Sequence, residues 1–424
     1  MIEQIIDLHI HSKYSRACSP DLELPKIALA CEKKGIDICA TGDFTHPAWF
    51  NHIKELLVED NSGLFKLKDA SSKVRFILST EISCIYKHKD ATRRLHLVVL
   101  APSVEAVGRF IEALEAKGAN VRSDGRPILG LSGKAILQML LDIDERFMLI
   151  PAHAWTPWFS IFGSKSGYNK LDDCFEELSS HIHALETGLS SDPIMNHMWS
   201  ALDNYTLVSN SDAHSLDKLG REANVLEFAD KNEITFSEIC RIIKEGDKRK
   251  FKYTIEFFPE EGKYHFDGHA DCKVSLDPEQ TKKENYLCPK CKKKITVGVL
   301  SRVVELSDRK EKEIPKNKFI PHKYIVPLKE IIASVFHVGD KSKKVNVEYE
   351  NLIKAFDNEF NILLRAPVEE LKKSATDENI ALAISNMRQG KIRVVPGYDG
   401  IFGTVDLLLN NAKKAISQSR LWLE

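Results

Sequence analysis

Up to about Gly246 the apolar positions of this chain recur with two periods in turn. Short β-branched runs at 5–6, 36–41, 74–83, 95–100, 147–150, 182–185 and 205–208 predict strands. A helical spacing covers 24–34 and stops at Gly35, a residue that closes helices in the left-handed conformation. The runs at 74–83 and 95–100 flank 87–92 as the arms of a hairpin would. Strand and helix alternating in this way predict an α/β fold with a parallel sheet or barrel. Beyond about Lys250 the pattern turns β-rich and basic. From Pro321 it becomes helical, with helices expected over 347–356, 368–373 and 378–387 and a tight turn at Pro396-Gly397-Tyr398-Asp399-Gly400. The expected division is therefore 1–246, 247–318 and 319–424.

The strand pattern gives the candidate chemistry its geometry. His9 and His11 follow the first apolar run two residues apart, so both rings point to the same side. Asp212 and His214 repeat the arrangement after 205–208. Asp43, Glu81, His153 and Glu186 also stand at or just beyond the expected C-terminal ends of strands, where the sites of α/β barrels lie. His96 sits inside its apolar run, and within this set it reads as a ligand. Imidazoles and carboxylates gathered this way suit divalent metal, with Glu81 as a bridging carboxylate and Glu186 orienting a ligand histidine. Two ions about 3.5–4 Å apart would suit phosphoester hydrolysis. Asp212, His214 and Glu81 are the candidate catalytic groups. His181, His183, His197, His322 and His337 lack an acidic strand-end partner and read as structural or surface residues.

A second constellation lies in the basic stretch. His269-Ala-Asp-Cys272 and Cys288-Pro-Lys-Cys291 form two halves of a knuckle, four ligands with no open position, which implies one structural zinc. Lys290, Lys292, Lys293 and Lys294 surround it, the candidate contacts to a polynucleotide backbone.

Bulk composition narrows the classes. The 424 residues are 43% hydrophobic and 29% charged, enough for a large core. A net charge of −1 excludes coating of nucleic acid by bulk electrostatics, although 281–318 is locally basic. Nine scattered cysteines argue against a disulfide framework, and no apolar run is long enough to span a bilayer, so a cytoplasmic protein without membrane contact is expected.

The motifs Asp-Leu-His9-Ile-His11-Ser, Thr41-Gly42-Asp43, Thr80-Glu81-Ile82-Ser83, the isolated His96 and His153, and Ser211-Asp212-Ala213-His214 resemble those of the PHP (polymerase and histidinol phosphatase) superfamily. That resemblance implies a distorted (β/α)7 barrel holding two to three divalent ions, which in such sites are Zn, Mn, Fe or Mg. The second motif departs from its usual form: Phe44 follows Asp43, and His46 is the candidate to take the missing histidine's place. The whole chain resembles the endonuclease Q family, on 41–50, 186–193, 209–214 and 219–224. It implies a barrel, an inserted or appended zinc-knuckle module, and a C-terminal helical DNA-binding region. The implied activity is DNA repair: hydrolysis of the backbone on the 5′ side of deaminated bases (uracil, hypoxanthine, xanthine) and of abasic sites. His269 stands where a cysteine is also usual, a change zinc tolerates.

The residues add support. Trp49 and Phe50 follow Asp43, and Trp155, Trp158 and Phe159 follow His153, flat side chains on which an extruded base could stack. Ser15 and Arg16, beyond the first histidine pair, are the candidate phosphate contacts. The tail 418–424 loosely resembles a sliding-clamp-binding peptide, although the end of an amphipathic helix explains it better. The rival enzyme reading is a small-molecule phosphatase of the histidinol-phosphatase type, which gives the zinc knuckle and the C-terminal region no role. A non-enzymatic adaptor would be expected to have lost several ligands.

Overall fold

A computed structural model describes residues 1–89 and 91–407. The clamp-like tail at 418–424 lies outside the described residues. The strand Ile2–Asp7 lies inside an eleven-stranded sheet. On one edge it pairs parallel with Ile38–Ala40, which pairs parallel with Arg75–His88. On the other it pairs antiparallel with Ala223–Phe228, which pairs antiparallel with Phe251–Glu256. The sheet is mixed, where alternation of strands and helices led to the expectation of a parallel one. Two causes combine: the link from Arg75–His88 to Ala91–Ala101 is too short for anything but an antiparallel pair, and Ala223–Phe228 returns antiparallel beside Ile2–Asp7. Ala91–Ala101 in turn pairs antiparallel with Met148–Pro151. Ala184–Glu186 and Thr206–Val208 form a separate parallel pair.

The helices follow from spacing and caps. Leu24–Lys34 buries Leu24, Ile27, Ala28 and Cys31 on one face, begins with a proline in its first turn, and ends at Gly35 with φ 88°. Taking Leu24 or Ile27 fully out of water stabilises by about 1.5–3 kcal/mol each. Phe236–Glu245 is opened by the Thr235 hydroxyl, which accepts from the Glu238 N–H, and closed by Gly246. Toward the C-terminus come Leu328–Phe336, Lys343–Phe356, Glu359–Leu364, Val368–Ser374 and Glu378–Arg388. Their buried Ile331, Leu352, Phe360 and Ile384 belong to the same apolar cluster as Ile6 and Val99 of the sheet. The strand His322–Tyr324 joins the sheet beside Phe251–Glu256, so the compositional break near 246 is not a break in hydrogen bonding. By contrast, Val274, Cys288 and Ile295 form a small core of their own. Among the described residues no helix is long and apolar enough to cross a membrane.

Candidate metal centre

The loop leaving Ile2–Asp7 carries His9 and His11 into the interior, where both are buried. The buried Asp7 carboxylate holds this loop against the Asp212 loop by accepting from the Ser211 and Gly220 N–H groups, each at 3.1 Å. Asn210 extends the brace: its side-chain oxygen accepts from Leu8 N–H (3.0 Å) and its amide donates to Glu186 Oε1 (2.8 Å). Asp43, His153 and Asp212 all hold positive φ, at 48°, 30° and 46°. Such backbone costs about 1–3 kcal/mol at a non-glycine residue and is kept where surrounding structure forces it.

Two clusters of candidate ligand atoms share Glu81. His9, His11, Glu81 and Asp212 form one; Glu81, His96 and His153 form the other; within each, the atoms lie within 4.8 Å of one another. His11 Nε2 is 3.3 Å from Glu81 Oε2 and 3.1 Å from Asp212 Oδ1; His9 Nε2 is 3.7 Å from the same two oxygens. Glu81 Oε1 is 2.7 Å from His96 Nδ1 and 3.2 Å from His153 Nε2. Ligands of one tetrahedral ion with bonds of about 2.1 Å sit about 3.4 Å apart, which is the scale of these separations. His9 Nε2, His11 Nε2 and Asp212 Oδ1 are buried without a hydrogen-bond partner. A buried polar atom without a hydrogen bond costs about 1–3 kcal/mol; the contact between His11 Nε2 and Asp212 Oδ1 offsets part of that, and a divalent ion among the three atoms would remove it. The donor set fits a metal.

Orientation is supplied from behind. His9 Nδ1 is 3.0 Å from Glu186 Oε1, and His11 Nδ1 is 3.0 Å from Asp43 Oδ1, so each Nε2 faces the cluster. The second Glu186 oxygen accepts from the His153 N–H at 2.8 Å. Asp43 Oδ2 accepts from the Ser12 N–H and hydroxyl and from the Ser15 hydroxyl. Asp43 thus braces His11 from outside both clusters. Glu81 lies in mid-strand, not at a strand end, because pairing with Ala91–Ala101 carries the ladder on to His88. That pairing puts Ser83 opposite His96, which brings the ring to the carboxylate two residues away.

Charge in the cluster is finely set. Burial opposes charging His9, yet Glu186, Glu81 and Asp212 raise its proton affinity well above an ordinary imidazole's. His11 is raised in the same way, against burial, by Asp43, Asp212 and Glu81. Burial likewise opposes the charge on Glu81, but His96, Arg126 and His9 hold its carboxyl well below the usual range. For His96 burial outweighs Glu81, and its pKa is pushed down to about 4. Metal entering this site must displace the protons that these carboxylates favour on His9 and His11.

Other expected residues lie elsewhere. His46 precedes the helix Pro47–Leu56, stacks on Tyr14 at 4.4 Å, and has Nε2 3.2 Å from the Arg122 carbonyl, outside both clusters. His214 lies at the rim, its ring 4.6 Å from that of His11 and its Nδ1 2.8 Å from the Asp212 carbonyl. Trp49 and Trp155 are fully buried, their indole N–H groups donating to the Gly42 carbonyl and to Asn196 Oδ1. They are walls of the core and offer no face to a base. Phe50 is buried too, whereas Trp158 is exposed and Phe159 packs on the His96 ring at 4.8 Å. Ser15 points inward to Asp43, while Arg16 is exposed.

Arg126 has no motif to betray it. Its guanidinium donates to Glu81 Oε2 at 3.0 Å from a loop docked on 12–16. Gly125 makes that docking possible: a Cβ there would lie 2.4 Å from Asp43 Oδ2 and 2.5 Å from Ser15 Oγ.

In the second constellation, the ligand atoms of His269, Cys272, Cys288 and Cys291 lie within 4.8 Å of one another. The antiparallel strands Asp267–His269 and Val274–Leu276 flank the first half. In the second half, Lys292 N–H donates to the Cys288 carbonyl and Cys288 N–H to that of Lys293. Burial opposes ionisation of Cys288, but backbone N–H groups of Cys291 and Lys290 keep its pKa below that of an ordinary thiol. These thiols are free of disulfides, and the four donors fit a tetrahedral ion. Lys290, Lys292, Lys293 and Lys294 are all exposed around it.

Residues 327–391 match the family model of the MJ0043 C-terminal domain. Over 258 residues, 60% of this chain, the sequence is 36% identical to the uncharacterized protein MJ0043 of Methanocaldococcus jannaschii, and the match spans 31% of that longer protein. The fold superposes on the crystal structure of the lesion-specific endonuclease PfuEndoQ from Pyrococcus furiosus with a TM-score of 0.84 and 32% identity, covering 97% of this chain and 98% of that one. A crystal structure of endonuclease Q with a 27-mer duplex bearing an abasic lesion at the active site matches equally, with a TM-score of 0.84, 32% identity and coverage of 98% and 99%. A likeness of that extent, carried over nearly the whole length of both chains, makes this chain a member of the endonuclease Q family.

Proposed function

We propose that this chain is a metal-dependent DNA repair endonuclease. It hydrolyses the phosphodiester on the 5′ side of deaminated bases (uracil, hypoxanthine, xanthine) and of abasic sites. The observation that carries the reading is the convergence of unpartnered His9 Nε2, His11 Nε2 and Asp212 Oδ1 around Glu81. The substrate class is supported by family membership, since one relative is described as lesion-specific and another holds an abasic duplex at its active site.

In this reading His9, His11, Glu81, His96, His153 and Asp212 hold two to three divalent ions (Zn, Mn, Fe or Mg), and His269, Cys272, Cys288 and Cys291 hold one structural zinc. These residues would hold the ions where bound water would be made acidic, toward a pKa of about 7, and phosphate charge would be neutralised. The chain's own groups do the rest. Glu186 and Asp43 keep Nδ1 of His9 and His11 engaged, so neither ring can turn away. Burial excludes bulk water from Glu81, and Arg126 faces the same carboxylate from the open side, placed to meet a phosphate. His214, with Nδ1 on the Asp212 carbonyl, presents Nε2 at the rim to carry a proton. Arg16 and the lysines at 290 and 292–294 contact the DNA backbone, and Trp158 and Phe159 contact the displaced base.

The same proposal covers organisation: a distorted (β/α)7 PHP barrel over 1–246, a basic zinc module over 247–318 and a helical DNA-binding region over 319–424. The test is nicking of end-labelled duplexes carrying one uracil, hypoxanthine or abasic site, with Mg²⁺ or Mn²⁺. One cut on the 5′ side of each lesion, with the unmodified duplex left whole, is the expected result. Equal cutting of the control, or release of phosphate from small monoesters alone, would overturn it.

A further inference from the structure

We infer that the turn at 400–403 carries a wedge. The Phe402 ring, with Lys263 beside it, enters the base stack of duplex DNA where a lesion nucleotide has been drawn toward the metal cluster. The inference deepens the endonuclease reading and rests on it.

Phe402 is 71% exposed, beside Ile401 at 40%. One exposed phenylalanine is ordinary in itself, but with Ile401 it makes an apolar tip that the described residues leave uncovered and that a flat apolar partner can meet. Its loop is held firmly. Gly397 N–H donates to the Glu260 carbonyl (2.8 Å), Gly400 N–H to Lys263 (2.8 Å) and Gly403 N–H to Glu261 (3.1 Å). Tyr398 and Ile401 exchange backbone hydrogen bonds at 2.9 and 2.8 Å, and Asp399 Oδ2 accepts from the Ala270 N–H at 2.6 Å. Gly268 lets Tyr398 sit flush on the neighbouring strand, since a Cβ there would lie 2.4 Å from its ring. The ring therefore projects from a braced support.

A series of neighbouring side chains lies between this prong and the metal cluster, joined in part by ring contacts and in part by chain adjacency. Lys263 Nζ lies 5.9 Å from the centroid of Phe402 and 5.6 Å from that of Tyr264. Tyr264 meets Trp158 edge-on, with centroids 5.5 Å apart. Phe159, next to Trp158 in the chain, packs on His96 of the cluster. Flat rings with a lysine among them match the chemistry of stacked bases and flanking phosphates. Extruding a base forfeits stacking at the vacated step, and an inserted apolar ring offsets that loss.

The test compares single-turnover cleavage of a uracil in paired duplex with the same uracil in a short unpaired bubble, where no stack has to be opened. Phe402→Ala is expected to slow cleavage of the paired substrate by about tenfold and of the bubble by less than about twofold. Phe402→Leu, which keeps an apolar wedge, is expected to recover most of the paired rate. Equal slowing of both substrates by Phe402→Ala, or no slowing of either, would overturn the wedge while leaving the endonuclease reading intact. So would a change in sedimentation showing that Phe402→Ala only breaks a contact with a second copy of this chain. A wild-type protein that cuts neither substrate would overturn the endonuclease reading, and the wedge with it.

Discussion

The two candidate metal sites are built on opposite principles. The cluster around Glu81 is assembled from residues far apart in the chain, set in a large core and braced by Asp7, Asp43, Glu186 and Asn210. Its ligand atoms are held by these braces, and some of them make no hydrogen bond within the chain. The Cys/His cluster is assembled from 269–291, over a small core of Val274, Cys288 and Ile295, with Cys291 exposed. There the ion would do the work a core does elsewhere. A braced site with unsatisfied groups suits chemistry; a closed tetrahedral site on a small hairpin suits folding.

Four variants would sharpen or break that contrast. Asp212→Asn is expected to lower cleavage by about 10³-fold or more while thermal unfolding moves by only a few degrees, about 3 °C. Wild-type cutting by this variant would remove Asp212 from the centre. Cys288→Ser with Cys291→Ser is expected to take one zinc per chain out of the metal analysis and to weaken DNA binding about tenfold, leaving the metal content of the Glu81 cluster unchanged. If zinc stoichiometry stays the same, the closed site does not exist. Glu186→Gln, which removes the negative charge behind His9 Nδ1, is expected to weaken metal binding at the Glu81 cluster by about 10–100-fold, read by chelator competition. Removing Lys292, Lys293 and Lys294 together should flatten the salt dependence of DNA binding by about one slope unit per lost phosphate contact, with cleavage at saturation unaffected. An unaltered slope would put the DNA path on another face.

What the sequence made legible follows from local periodicity. The i, i+2 spacing of His9 and His11 places both rings in one cluster because a strand leads into it. Gly35 ends its helix for a reason visible in one residue. Long-range pairing was less legible: no local signal shows that 223–228 runs antiparallel to 2–7, and the mixed sheet follows from it. Aromatic residues close to ligands say nothing about which way a ring faces, and Trp49 and Trp155 turn into the core because their N–H groups find the Gly42 carbonyl and Asn196 there. Ser15 likewise satisfies Asp43 and not a ligand. Arg126 and Phe402 owe their significance to loops whose placement depends on tertiary contacts alone.

The most direct measurement is stepwise chelation, following lesion cleavage, metal content and circular dichroism on one sample. Cleavage is expected to vanish while about one zinc per chain and the folded signal remain, and to return with added Mn²⁺. Cleavage that persists after all metal is gone, or that is lost only when the knuckle zinc leaves and the module unfolds, would contradict the assignment of chemistry to the Glu81 cluster.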